Sequence, residues 1–139
     1  MSRSGYSDDC ENYGLWRGAV MRATSGKRGQ AFLIELADSL DAMPDKRLIT
    51  DELVSDGAYC TLGVIGAKRG LDMTEINVED TKAIGKLFGI AHALAAEIVY
   101  ENDEGYLGRS ESDITERRWT RMRKWVDERI ISAHLEILK

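Results

Sequence analysis

A long amphipathic helix near the end of the chain is the sequence feature that most constrains the fold. Between Asp113 and Leu138, apolar side chains recur at steps of three and four residues without any proline or glycine. This repeat predicts a helix with one buried face, about 39 Å long. The repeat consists of Trp119, Met122, Val126, Ile130, Ala133 and Ile137, and Trp125, Ile131, Leu135 and Leu138 widen it. Because the apolar face is this wide, we expect the helix to dock on a globular core rather than to form a coiled coil.

Charge is unevenly distributed along the sequence. Residues 1–70 carry a net charge of −1, residues 71–116 one of −8 and residues 117–139 one of +4, which gives −5 for the whole chain. Such polarity predicts binding through charged surfaces, either within the chain or to a partner. The simpler interpretation is that the basic residues pair with the acidic segment just upstream or are solvated.

The length of 139 residues fits one domain that buries about two thirds of its unfolded surface. Residues 1–11 are polar and predict an N-terminal tail, so residues 12–139 are expected to form a single helical domain. The chain starts without the apolar core of a signal sequence, and no apolar run approaches the roughly 18 residues that span a bilayer. We therefore expect a cytoplasmic protein, with Cys10 and Cys60 reduced.

Periodicity predicts an all-α fold, a compact bundle of about five or six helices. The single proline, Pro44, and the scarcity of alternating β-branched residues argue against a sheet-rich fold. Helices are expected at about residues 13–23, 27–43, 56–70, 80–88, 91–101 and 113–138, with an extended link or helical turn at 45–54 and a polar loop at 101–112.

Cap and stop residues refine these boundaries. Ser25 and Asp56 are predicted to cap the second and third helices, and Asp113 with Glu116 resembles a capping box at the last one. Stops are expected at Pro44, Gly70 and Gly89. Gly63 and Gly66 lie inside the third helix, where they predict the close approach of a neighbouring helix.

Residues 81–101 have the apolar spacing of a helix-turn-helix. A DNA reader needs basic or amide side chains at the start of its second helix, but here that helix begins Ala91, His92, Ala93 and becomes acidic. A plain helical hairpin is therefore the better interpretation. The alternative nucleic-acid surface is the basic start of the last helix, made of Arg117, Arg118, Arg121, Arg123 and Lys124.

Enzyme motifs are lacking. The two histidines, His92 and His134, form no HExxH pair, and the cysteines form no C-x-x-C. Nucleophile-elbow, kinase and phosphate-loop signatures are lacking as well. We therefore expect a protein that is not an enzyme, with no catalytic residue, no metal and no cofactor.

Five blocks of sequence resemble a family of small accessory proteins encoded by tailed bacteriophages and prophages. They are the opening MSRSGYSDDC, GKRGQAFL at 26–33, KRLI at 46–49, YCTLG at 59–63 and IVYENDE at 98–104. The resemblance implies a phage-encoded accessory protein that acts in the cytoplasm of a host bacterium. It implies no catalytic or ligand-binding residue.

By analogy with other small acidic phage proteins, the resemblance favours a non-enzymatic inhibitor that binds a host defence complex, as anti-CRISPR proteins do. CRISPR effector complexes are the first candidate partner, and no membrane is expected to take part. The predicted contact surface is an acidic face suited to a positively charged channel. It comprises Asp72, Glu75, Glu79, Asp80, Glu97, Glu101, Asp103 and Glu104. A nucleic-acid-binding regulator and an oligomeric scaffold are the alternatives, and the sequence leaves the oligomeric state open.

Overall fold

The computed structural model describes residues 13–104 and 111–137, and this part of the chain is all-α apart from one small hairpin. The predicted fold class is confirmed. The predicted tail at 1–11 lies outside the described residues, as does much of the predicted loop at 101–112. The elements are α1 (Tyr13–Ser25), α2 (Lys27–Asp41), β1 (Val54–Ser55), β2 (Ala58–Tyr59), α3 (Thr61–Arg69), α4 (Thr81–Phe88), α5 (His92–Glu104) and α6 (Glu111–Ile137).

Helix α6 is the longest element and packs mainly on α2. Met122, Trp125 and Val126 on its predicted seam are buried, and the half-buried Trp119 donates its indole N–H to the Leu40 carbonyl oxygen at 3.2 Å. Both tryptophans are therefore anchors of the core. The helix begins at Glu111, so Asp113 lies inside its first turn and the predicted capping box is wrong.

The core gathers one apolar face from every helix after α1. Its buried side chains interlock across α2 to α6, and the linker after α2 (residues 42–53) contributes two leucines, Leu48 and Leu53. These central residues are Leu33, Leu36, Leu40, Leu48, Ile65, Ile84, Leu94, Ile98 and Met122.

The junction of α1 and α2 differs from the prediction. Ser25 is the last residue of α1, where its hydroxyl donates to the Met21 carbonyl oxygen at 2.8 Å, and Gly26 occupies the N-cap of α2. The helices turn tightly because Gly29 packs directly against the Ala23 carbonyl oxygen, where a side chain would not fit.

A β-hairpin replaces the predicted start of α3. Asp56 and Gly57, with φ of 50° and 78°, form the two-residue turn between β1 and β2, in which Val54 pairs with Tyr59. Asp-Gly is a strong signal for such a turn, because both positions need positive φ. Asp56 is therefore no helix cap. Cys60 fills that role, its Sγ accepting from the Gly63 backbone N–H at 3.4 Å.

The glycine stops are confirmed. Gly70 and Gly89 end α3 and α4 in the left-handed conformation, with φ of 70° and 73°. Helices α4 and α5 then meet at 109°, the geometry of a helix-turn-helix. Every residue of α5 from Ala93 to Val99 is buried, so this helix has no face that could enter a DNA groove.

Within the described ranges, no single helix is long and apolar enough to cross a membrane.

The glycines of α3 generate a stability prediction. A Cβ at Gly63 would overlap the carbonyl oxygen of Leu53, which is backbone, whereas a Cβ at Gly66 would meet the flexible thioether end of Met73. We expect Gly63→Ala to lower the free energy of unfolding by about 2 kcal/mol or more. For Gly66→Ala, helix propensity offsets part of the crowding, so the loss should stay below about 1 kcal/mol. Urea denaturation of both variants measures the difference, and equal losses would contradict the assigned contacts.

Candidate functional site

A buried asparagine joins three parts of the fold. The Asn102 side chain, which is 0% exposed, accepts from the Thr61 backbone N–H at 3.0 Å and from its hydroxyl at 2.7 Å. Its amide group donates to the Ile49 carbonyl oxygen at 2.9 Å and to a carboxylate oxygen of Asp103 at 2.8 Å. One side chain thus holds the linker after α2 and the start of α3 against α5.

Arg118 completes this centre from α6. Its guanidinium donates to the Asn102 carbonyl oxygen at 2.8 Å and to the Leu48 carbonyl oxygen at 2.9 Å. The residue is only 6% exposed, and burial lowers its pKa. We call Ile49, Thr61, Asn102 and Arg118 the polar node. Arg118 was predicted to be part of a nucleic-acid surface. That prediction is wrong, because the buried guanidinium donates hydrogen bonds to backbone carbonyl groups inside the protein.

Three of the blocks that carry the phage-family resemblance meet at the polar node. KRLI supplies Leu48 and Ile49, YCTLG supplies Thr61, and IVYENDE supplies Asn102. A fourth block, GKRGQAFL, contains Gly29 at the tight α1–α2 junction. The residues of these four blocks therefore hold the polar node and the α1–α2 junction together.

A surface cleft of about 720 Å³ lies next to the polar node. The linker after α2, the hairpin, α3 and the first turns of α6 line it, with Arg47, Ile49, Tyr59 and Thr115 among its walls. Its size falls in the range of ligand-binding pockets. Nothing in the helical periodicity indicated this cleft, because it is formed by the linker and the unpredicted hairpin.

Further cations of α6 are also paired within the fold. Arg121 lies 3.5 Å from a carboxylate oxygen of Glu101, and Arg123 binds Asp41 at 2.8 Å while lying 3.8 Å from Asp127. Lys124 is exposed and 3.8 Å from Glu128, and Arg117 is exposed. Pairing with the acidic segment just upstream is confirmed for Arg121, whose partner Glu101 lies in that segment, whereas the partner of Arg123 is Asp41 of α2.

The acidic face predicted from the sequence divides into two groups. Glu97 is 1% exposed and forms an ion pair with Arg17 of α1 at 2.6 Å. The prediction that Glu97 lies on an outward face is therefore wrong. Glu101 is mostly enclosed, and Asp103 accepts from Asn102. The side chain of Glu104 lies outside the described part of the structure. The predicted face therefore does not extend along α5.

The remaining four carboxylates lie in the loop between α3 and α4, which we call the acidic loop (residues 71–80). The start of α5 is close to this loop, since His92 hydrogen-bonds Thr81 at 2.8 Å. Asp103, however, lies about 16 Å further along α5. The acidic loop thus stands apart from the far end of that helix.

The acidic loop is tied down at both ends. Asp72 accepts from the backbone N–H and the hydroxyl of Thr74 at 3.0 and 2.6 Å, and these bonds lower its pKa. Asp80 caps α4 by accepting from the Ala83 N–H at 3.0 Å. Between them, Glu75 and Glu79 are exposed, and neither forms an ion pair with any described residue.

No cluster of three or more histidine, cysteine, aspartate or glutamate side chains suited to a metal ion occurs among residues 13–104 and 111–137. Comparison of the chain with protein-family models, with curated proteins and with solved structures gives no match.

The polar node generates a prediction about both stability and local order. Asn102→Ala would leave the Thr61 N–H and the Ile49 carbonyl oxygen buried without partners, so we expect a loss of about 3 kcal/mol in the free energy of unfolding. Amide hydrogen exchange at Ile49, whose N–H bonds the Tyr59 carbonyl oxygen, should also accelerate.

Asn102→Asp is the matched control for this variant. It keeps the acceptor for Thr61 but loses the donor to Ile49, and it brings a second carboxylate beside Asp103. Exchange at Ile49 should therefore accelerate while Thr61 stays protected. A loss within about 0.5 kcal/mol for Asn102→Ala would contradict the role assigned to the node.

The contributions of Glu101 and Glu35 to the stability of the fold should depend on pH in opposite directions. Burial and the neighbouring Glu97 raise the pKa of Glu101, so the protonated form is favoured in the folded state. Its contribution to stability therefore falls as the pH rises from 4.5 through the raised value. A hydrogen bond from Arg69 lowers the pKa of Glu35, whose contribution is present above 4.5 and lost at lower pH.

Glutamine variants separate the two cases. As the pH rises from about 4 to about 7.5, the free energy of unfolding of Glu101→Gln should increase relative to that of the wild type. Over the same range, the free energy of unfolding of Glu35→Gln should decrease relative to that of the wild type. Urea denaturation at both pH values measures this. The same sign for both variants would contradict the environments described here.

Proposed function

We propose that this chain is a phage-encoded, non-enzymatic protein that binds a host bacterial defence complex in the cytoplasm and inhibits it. CRISPR effector complexes are the first candidate target. The observation that carries the proposal is the acidic loop, in which Glu75 and Glu79 are exposed and have no ion-pair partner among the described residues. The resemblance to phage accessory proteins supplies the biological setting.

The order of the acidic loop supports a role in binding. Leu71, Met73, Ile76 and Val78 pack against the hydrophobic core, alternating roughly with the carboxylates. The Leu71 N–H also donates to the Gly66 carbonyl oxygen at 2.9 Å. A loop anchored in this way loses little conformational entropy when a partner binds, so more of the contact energy appears as affinity.

The electrostatics of the loop favour a basic partner. Residues 71–80 contain four carboxylates and no lysine or arginine, and the next cation along the chain is Lys82. Host complexes that hold nucleic acid line their channels with lysine and arginine. A fixed group of carboxylates is attracted to such a channel and increases the rate of association at low ionic strength.

The geometry gives less support to the nucleic-acid-binding alternative. Of its five proposed cations, Arg118 is buried and Arg121 and Arg123 are engaged with carboxylates of α5 and α2. Binding a phosphate would require Arg121 or Arg123 to give up these partners, and it would bring the phosphate close to Glu101 or Asp41. The inhibitor proposal therefore remains the better supported of the two.

Charge reversal in the middle of the acidic loop tests the proposal. Asp72 and Asp80 hold the loop and α4 in place, so only Glu75 and Glu79 are changed, as Glu75→Lys with Glu79→Lys. We expect affinity for a purified CRISPR effector complex to fall roughly ten- to a hundredfold. Phages should also lose protection in a CRISPR-immunised host that expresses the variant instead of the wild type.

The matched control is Asp38→Lys with Glu52→Lys, which changes the net charge equally at exposed positions of α2 and of the linker after it. This control should bind like the wild type. Inhibition that survives the loop variant, or a wild type that retains duplex or single-stranded nucleic acid at low salt, would overturn the proposal.

A further inference from the structure

The cleft beside the polar node has an apolar floor. Ile49 and Tyr59 are half-buried and Val64 is buried, while the exposed Ala67 lies at one end in the last turn of α3. Most of the lining is accessible at the surface, so the cleft is an open groove rather than an internal cavity. Such a groove suits a side chain that projects from a peptide, with room for the peptide's backbone above it.

The walls of the cleft are fixed before any partner arrives. The Leu48 N–H donates to the Thr115 carbonyl oxygen at 3.1 Å, and the Ile49 N–H donates to the Tyr59 carbonyl oxygen at 3.0 Å. Asn102 and Arg118 hold the carbonyl groups of the same two linker residues from below. The linker can therefore act as a preformed wall, which lowers the entropic cost of binding.

The rim of the cleft carries net negative charge. Asp45, whose side chain is 76% exposed, and Asp56 at the hairpin tip both line the opening. Arg47, the one cation among the described residues of the lining, is held by Asp45 at 3.2 Å and by Glu116 of α6 at 3.1 Å. Asp45 and Glu116 contact Arg47, and Asp56 adds a further carboxylate to the lining, so this part of the rim is net negative and favours a cation over a phosphate.

We propose that this cleft binds a peptide segment of the target protein in which an apolar or aromatic side chain stands next to a lysine or arginine. The apolar side chain occupies the floor over Val64, and the neighbouring cation lies between Asp45 and Asp56. This inference rests on the proposed function, because it assigns a second contact surface for the same partner. Ala67 is only four residues before the acidic loop, so one partner can reach both.

Selection from a displayed library of random peptides provides the probe. The wild-type chain is used as bait, and Ala67→Lys is used for counter-selection because it places a long cation in the cleft. Lysine at this position suits the C-terminal turn of a helix, so the variant should fold. We expect enrichment of peptides that join an aromatic or branched apolar residue to a lysine or arginine.

An enriched peptide, once synthesised, should bind Ala67→Lys about tenfold more weakly than the wild type. Ala31→Lys, at an exposed position of α2, should bind it unchanged. Asp45→Asn with Asp56→Asn should weaken binding about fivefold, and asparagine tolerates the positive φ of residue 56. The loop variant Glu75→Gln with Glu79→Gln, which changes the net charge equally, should bind the peptide normally.

These variants separate the two proposals. Loss of peptide binding only in the cleft variants supports the cleft, whatever happens to inhibition of the host complex. No enrichment, enrichment of acidic peptides, or equal binding by Ala67→Lys would overturn the cleft assignment and leave the acidic loop to be judged by its own charge reversal. Self-association of the chain that Ala67→Lys abolishes would also overturn it, because the occupant would then be a second copy.

Discussion

The hydrogen bonds of Asn102 and Arg118 are the interaction on which the rest of the structure depends. They place a linker without regular secondary structure between three helices and satisfy the carbonyl groups of Leu48, which is fully buried, and of Ile49, which is half-buried. Without them, Leu48 could not be fully buried, because its backbone would bring an unpaired acceptor into the core. The cleft, the hairpin and the start of α6 all take their positions from this linker.

Much of the fold could be predicted from the sequence, because the apolar periodicity and the end signals of a helix lie within the helix itself or next to it. The apolar repeat located α2 and α6, and glycines with positive φ ended α3 and α4 where expected. The Asp-Gly turn was also readable, but the apolar residues around it were assigned to a helix. The Cys60 cap was less accessible, since cysteine seldom caps a helix and the hairpin decides where α3 begins.

Whether each charged residue is buried or exposed could not be predicted in the same way. Glu97 and Arg118 look like their neighbours in the sequence, yet both are buried, because their partners are Arg17 and two backbone carbonyls distant along the chain. Charge counts are additive over a segment, whereas burial depends on which helices meet. The acidic loop kept its predicted exposure because Asp72 and Asn77 bond within its own turns while its apolar side chains pack on the core, which leaves Glu75 and Glu79 exposed.

The position of α6 has a consequence for how the protein is made. Its contacts with Leu40, Asp41 and Leu48 join residues roughly 70 to 80 positions apart. During synthesis α2 and the linker that follows it are made about 60 residues or more before α6, so the apolar face of α2 and the Leu48 carbonyl group lack these partners until α6 has been made. Until α6 has been made and has docked, this part of the nascent chain is exposed to aggregation and proteolysis, because contacts between residues this far apart form slowly.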